Sequence, residues 1–248
     1  GLLCVAPLVA QKTSNSAATT RSVPDAKRLR TGTFTYHDLD HGKEVGQGTI
    51  SVRHLARSGN YDFVAKSTFA TDFEGFSSQR WEVVATFRFE PVSARLAFVR
   101  DSQITPVFDL AYSSGRVSGY LLKRKGSGQG TKQNVDASVP PNTVDQRIDW
   151  AAVLATNLET GQRFEFNVYD PGTGVSLVEG QVRDLEQIKV PAGTFRAYRI
   201  VYQMEKSGRT EHYQLFASQE SPHVMIREEF PNGVISELVQ VSKSARRP

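Results

Sequence analysis

Short runs of period two constrain this chain more than anything else in it. TFTYHDL, GTISVRHL, YDFVAKSTF, RWEVVATFRFE and RLAFVRD are rich in Phe, Tyr, Val, Ile and Thr. Gly, Pro, Asn or Ser bounds each run. β-Branched and aromatic residues that alternate with polar ones suit a half-buried strand, and the bounding residues supply its turns. The pattern starts at Thr33 and returns in the last third as RFEFNVYD, SLVEGQVRDLEQIKV, TFRAYRIVYQMEK, TEHYQLFAS, HVMIREEF and VISELVQVS. Ser58-Gly59-Asn60, Ser113-Ser114-Gly115, Lys206-Ser207-Gly208-Arg209 and Pro231-Asn232-Gly233 read as hairpin turns. Consecutive hairpins make an antiparallel meander.

One stretch departs from period two. In NTVDQRIDWAAVLATNLETG, Val144, Ile148, Ala151, Ala152 and Ala155 fall on one helical stripe, and Trp150, Val153, Leu154 and Leu158 broaden it. Asn142 is suited to cap its start, Asp145 lies near the positive helix end, and Gly161 suits its stop. The spacing predicts a largely buried helix over 143–159. Residues 126–142, GSGQGTKQNVDASVPPN, read as a polar loop. The fold class expected is mainly β: an antiparallel, strongly bent sheet or open half-barrel with one internal helix. At 248 residues, 39% hydrophobic, one such domain over 33–243 has enough chain for a real core.

In VPAGTFRAYRI, Pro191 lacks the N–H a ladder needs and Gly193 permits a sharp bend. The corner therefore ends one strand and starts the next. Phe195, Ala197 and Val201 then alternate with Arg196, Tyr198, Ile200 and Tyr202, so both faces carry apolar groups. That strand is expected to be covered on both sides or to line a groove.

The ends read differently. GLLCVAPLVA is too short to span a bilayer and fits the end of a secretory h-region. Residues 1–18 read as a signal-peptide remnant, with cleavage after Ala18 or after Ala10. Lipidation of Cys4 and a buried N-terminal segment are the alternatives. Residues 19–32 read as a disordered polar linker and 244–248 as a basic tail. Export to the periplasm or outer membrane is the expected location. No stretch of the mature chain has membrane-spanning length.

Charge and cysteine content exclude several classes. Cys4 is the only cysteine, which rules out an intramolecular disulfide and a cysteine-rich zinc site. The net charge of +4 comes from scattered basic residues with no nucleic-acid motif, so no nucleic-acid partner is expected. His37, Asp38, Asp40 and His41 could gather a cation only if a turn brought them together, with His54 and His212 as further donors. A polar strand end explains that stretch as well. No Gly-x-Ser-x-Gly elbow marks a nucleophile. Glu82, Glu90, Asp72 and Glu74 offer only the carboxylate pairs any β protein offers. Glu228-Glu229 reads as an exposed strand end. No catalytic residue, metal or cofactor is assigned.

VPAGTF, AYRIVYQ, HYQLFAS, SPHVMIREEF and GVISELVQVS, together with TVDQRIDWAAVLATNLETGQRFEFNVYD and FDLAYSSGRVSGYLLK, carry a likeness. Over about residues 33–242 the chain resembles a bacterial exported family catalogued as domain of unknown function number three thousand one hundred and eight. The chain has His212-Tyr213-Gln214 where that family has a Trp-Tyr-Ser preface. The resemblance implies an envelope location and a β-rich fold; it implies no activity and no site residues.

The functional reading rests on aromatic residues from adjacent strands: Phe63, Phe69, Phe73, Phe76, Trp81, Phe87, Phe89 and Phe98. A plain core accounts for them. The alternative is a curved sheet whose cup holds a lipid-like or other apolar ligand, lined by Phe69, Phe73, Phe76, Trp81, Phe87 and Trp150, with 72–76 as a rim. The function expected is a non-catalytic envelope protein binding such a ligand. A scaffold that binds an envelope protein partner and an unrecognised hydrolase stand beside it.

Overall fold

Strand pairing carries the period-two pattern into one sheet. The computed structural model describes residues 22–73, 75–123, 130–206 and 208–242, with the side chains of 71–73 left aside. The stretches read as signal remnant and basic tail, and Cys4, lie outside the described residues.

Two meanders build the sheet. The first runs outward through β1 (Gly32–Asp40), β2 (Lys43–Leu55), β3 (Asn60–Phe73), β4 (Phe76–Ala85), β5 (Pro91–Arg100), β6 (Gln103–Ser113), β7 (Arg116–Lys123) and β8 (Thr131–Ser138). The chain then restarts at the opposite edge with β9 (Thr143–Asp145). It returns inward through β10 (Arg163–Asp170), β11 (Gly174–Val190), β12 (Gly193–Lys206), β13 (Arg209–Ser218), β14 (Met225–Glu229) and β15 (Val234–Ser242). β15 pairs antiparallel with β1, which joins the two meanders. Among the strands of the described residues, β9 and β10 alone pair in parallel.

This order dictates curvature. Among the described residues the sheet has 15 strands, with β8 at one edge and β9 at the other. Laid flat at about 4.8 Å per strand, those edges would stand roughly 65 Å apart. Residues 139–142 alone connect them, a reach of about 17 Å at most. The sheet must therefore roll until its edges come near each other, and β9 indeed packs against β5. The result is an unclosed barrel.

The interior row Phe34–Ile50–Ala65–Trp81–Leu96–Phe108 crosses six adjacent strands in register. A second row, Phe164–Gly180–Tyr202–Tyr213, crosses β10 to β13. Gly180 is required there: a Cβ would sit 2.3 Å from the Phe164 ring and 2.7 Å from Tyr202 Cβ. The hairpin turns fall where the sequence places them, with Gly59, Gly115, Gly208 and Gly233 all at positive φ. The Pro191-Ala192 corner joins β11 to β12, with Gly193 at φ 136, and the Ala192 N–H donates to Leu238 O at 3.0 Å.

Four expectations are corrected. The helix over 143–159 is much shorter. Thr143–Asp145 is strand β9, Gln146–Ile148 is a 3-10 turn, and only Asp149–Leu154 (α1) is α-helical. Asn142, at φ 58, caps nothing; the Asp145 carboxylate accepts from the Arg147 N–H and starts the turn instead. Pairing of β9 with β10 outcompetes the helical propensity of its residues. Second, the loop over 126–142 contains β8, because β7 offers it a complete ladder.

Third, RWEVVATFRFE is not one strand. β4 stops at Ala85, and Phe89 turns back into the core at φ 64. Fourth, the described part of the linker is ordered. Ala26 and Leu29 are buried, the Asp25 N–H donates to Ala155 O at 2.9 Å and the Ala26 N–H to Phe87 O at 2.9 Å. Leu29 bridges His223 in parallel. This strap satisfies the Ala155 carbonyl that the end of α1 leaves free.

Candidate functional site

α1 and the 3-10 turn before it carry buried polar groups into the rolled sheet, where they form two clusters. The first fastens the seam. Arg147 donates from Nε to Asp145 Oδ1 at 2.6 Å, from Nη2 to Asp145 Oδ2 at 2.9 Å and from Nη1 to Asp170 Oδ2 at 2.5 Å. Its guanidinium lies 4.6 Å from the Phe108 ring centroid. The Tyr112 hydroxyl donates to Asp145 Oδ2 at 2.6 Å. Tyr112 and Phe108 come from β6, Asp145 from β9 and Asp170 from β10, so the cluster clasps the two wings of the sheet together. Burial works against the Arg147 charge, but Asp145 and Asp170 outweigh it and hold the group above its ordinary range.

The second cluster faces a cavity of about 330 Å³. Asp149, 9% exposed, and Glu228, 5% exposed, stand on its wall with Asp38. Pairing gathers two of them: Glu228 lies opposite Ser236, and Ser236 opposite Asp38. The Tyr202 hydroxyl donates to Glu228 Oε1 at 2.7 Å, and the Trp150 N–H donates to Asp149 Oδ1 at 2.6 Å. Burial pushes the Asp149 carboxyl up to about 7. Burial and the Asp149 charge push Glu228 up to about 8, against the pull of the Tyr202 hydrogen bond. Asp38 is raised by burial as well, less the bond from Ser236. Among the described residues, none of the three makes an ion pair. Arg147 reaches the same cavity with its donors engaged at the clasp.

Aromatic and apolar groups, Trp81, Trp150, Tyr36, Tyr213, Phe230, Ile50 and Met225, share the wall with the neutral polar Thr49, Ser67, Gln79, Gln146 and Ser236. Tyr213 stacks on Tyr202 with centroids 4.8 Å apart. Trp150 Nε1 donates to Arg147 O at 3.1 Å, so its polar atom is satisfied and its ring is free to face the cavity. A larger concavity of about 1120 Å³ spans β10 to β14 and shares Tyr213 and Phe230 with the cavity. Exposed and half-buried Arg, Glu and Gln side chains line much of it. The interior cavity is the better site, because convergent buried acids and aromatic rings meet there.

The structure sorts the expected lining residues. Trp81 and Trp150, the only tryptophans in the chain, do meet in this cavity. Phe69, Phe76 and Phe87 do not line it. Phe76 stacks on Phe98 at 5.0 Å, and Phe69 is half-buried on β3 opposite Gly46. Phe87 is 39% exposed in the turn after β4, between Lys27 and Arg88. The Phe73 side chain lies outside the described residues, as does Glu74 of the rim read over 72–76. Phe63 and Phe89 pack against each other in the core.

HDLDH stays extended within β1 up to Asp40. His37 contacts Glu237 at 3.3 Å, while Asp38 points to the cavity. His54 tilts on Tyr61. No group of metal-binding side chains converges among the described residues. Glu228 is the principal correction: read as an exposed strand end, it lies inside. Its signal was present, since Ile226 and Glu228 share parity in a buried run. Asp149 had one too, as a carboxylate inside an otherwise apolar stretch.

A family model described as "Protein of unknown function (DUF3108)" matches residues 32–239. A β-barrel-like protein of domain of unknown function DUF1849 from Brucella abortus has a similar fold. Its TM-score is 0.56 at 13% identity, covering 87% of this chain and 99% of that one. A Bacteroides fragilis protein described as exported, with a YmcC-like fold, aligns with TM-score 0.38 at 13% identity, covering 89% and 100%. No curated protein matches the chain. Among the described residues no helix is long and apolar enough to cross a membrane.

Proposed function

The chain belongs to the DUF3108 family, and we propose that it is a non-catalytic protein of the bacterial envelope that binds a small amphipathic molecule inside its rolled sheet. The observation that carries this reading is the interior cavity. Trp81 and Trp150 stand on one wall system with Asp149 and Glu228, and such a mix of apolar surface with a few convergent polar groups is typical of ligand sites. The short apolar stretch at residues 1–10 supports export. A role without catalysis is supported by the hydrogen bonding, since among the described residues no serine hydroxyl bonds a histidine ring.

The cavity holds the only two tryptophans, so intrinsic fluorescence reports on its contents. The chain purified from a bacterial envelope is weighed by native mass spectrometry, then extracted with solvent. A stoichiometric adduct, absent after Trp81→Ala, together with an emission shift on extraction, is the expected result. An adduct-free mass and unaltered emission after challenge with envelope extract would overturn the reading and leave a scaffold that binds a protein partner.

A further inference from the structure

We infer that the ligand of the interior cavity carries an ammonium group, primary or quaternary, on a short apolar body. This deepens the function proposed above and rests on it. Three features of the wall converge on that chemistry.

First, the acids have no cation of their own. Asp38, Asp149 and Glu228 contribute three carboxyl groups and no ion pair among the described residues. Glu228 takes a hydrogen bond on Oε1 alone and Asp149 on Oδ1 alone. Each therefore retains an acceptor oxygen inside a chamber nine-tenths or more closed to solvent at these residues. A buried carboxyl with spare acceptor capacity is the natural counterpart of an N–H or N–CH₃ cation.

Second, the cavity's one cation is spent. All three guanidinium nitrogens of Arg147 donate to Asp145, Asp170 or the Tyr169 carbonyl. An anionic headgroup would find no free positive partner, and would stand beside three acids. A cation entering the cavity would favour the ionised form of these acids, whereas a fatty acid or a phosphate would oppose it.

Third, aromatic rings make up a large share of the remaining wall. Trp81, Trp150, Tyr36, Tyr213 and Phe230 offer ring surface, and indole and phenol faces attract a desolvated cation. Carboxyls alone would suit a hydrated metal ion; rings and carboxyls together suit an organic ammonium. The absence of a converging metal-ligand group among the described residues agrees with this.

The test uses the full chain and three probes of equal length: octylammonium, octanol and octanoate, each titrated against the two-tryptophan emission. Octylammonium is expected to bind about tenfold or more tighter than octanol, the scale of one charge-assisted hydrogen bond, and octanoate weakest. In Glu228→Gln with Asp149→Asn, octylammonium should fall to the octanol level while octanol binding is unchanged, which also shows that the variant cavity is intact. Equal binding of octanol and octylammonium by the wild-type chain overturns the ammonium assignment and leaves an apolar site standing. Preference for octanoate overturns it too. No binding of any probe overturns it as well, and the envelope adduct then decides the broader reading by itself.

Discussion

Asp145 and Asp149 enter the barrel four residues apart, on one short segment, and meet opposite surroundings. Asp145 is fully buried at the clasp, with Arg147 on both oxygens and Tyr112 on one. Asp149 is nearly as buried, facing a cavity with Glu228 and no cation that is not already engaged. The clasp has a cation engaged on both of its carboxylates and joins two wings of a sheet. The cavity has unmatched acids, and burial favours their neutral forms. Burial by itself does not make a carboxyl structural or functional; the partner supplied by the fold decides.

Removing the clasp's cation should give the largest effect. Arg147→Met leaves Asp145 buried without compensation, a loss of about 3–5 kcal/mol. Urea unfolding followed by circular dichroism reads it, and a loss under ~1 kcal/mol would show that the seam is held by pairing and packing alone.

The second effect concerns pH. Glu228 titrates at about 8 in the fold against an ordinary 4.5, and Asp149 at about 7 against 3.8. The folded chain thus holds protons that the unfolded chain releases. This contribution is complete below about pH 4 and is lost as pH rises through 7 to 8, with a slope of up to ~1.4 kcal/mol per pH unit per group. The charges facing the pair are Asp38, Arg147 and, more remotely, Lys206, with the phenols of Tyr36, Tyr202 and Tyr213. Unfolding at pH 5, 6.5 and 8 should show stability falling, and Glu228→Gln with Asp149→Asn should flatten that fall and exceed the wild type at pH 8 by about 2 kcal/mol. A wild-type chain equally stable across that range would mean that these acids are solvated.

Tyr112→Phe removes one hydroxyl from the clasp and should cost about 1–2 kcal/mol. The smallest change is a surface control. Arg116 and Asp136 pair at 2.5 Å across β7 and β8, both exposed, and Arg116→Ala should cost no more than ~0.5 kcal/mol. If Arg116→Ala matched Tyr112→Phe, burial would not be what separates clasp from surface.

Much of this arrangement was legible beforehand. The alternation of Phe34 with Tyr36, or of Ile200 with Tyr202, marks the faces of strands whatever their neighbours. Asn232-Gly233 marks a hairpin because positive φ is a local property. Trp81 and Trp150 both stand on the cavity wall. Phe69, Phe76 and Phe87 were grouped with them by type alone, and ring type does not say which face or turn a residue occupies. Phe87 is in a turn because β4 ends at Ala85, where Phe89 bends back to fill the core.

The sequence by itself determined most of the strand segments, where most turns fall and that one segment between Thr143 and Gly161 packs inside, because these depend on dihedral preference and on the period of apolar side chains. Only the tertiary structure decided that β9 takes residues a helix would have claimed, that β8 and β9 lie at opposite edges of one rolled sheet, and that Asp145 meets Arg147 while Asp149 meets Glu228. Those outcomes depend on contacts between residues up to about two hundred positions apart in the chain, as in the pairing of Asp38 with Ser236. Pairing and charge at that separation are set by how the sheet closes, and no local pattern encodes it.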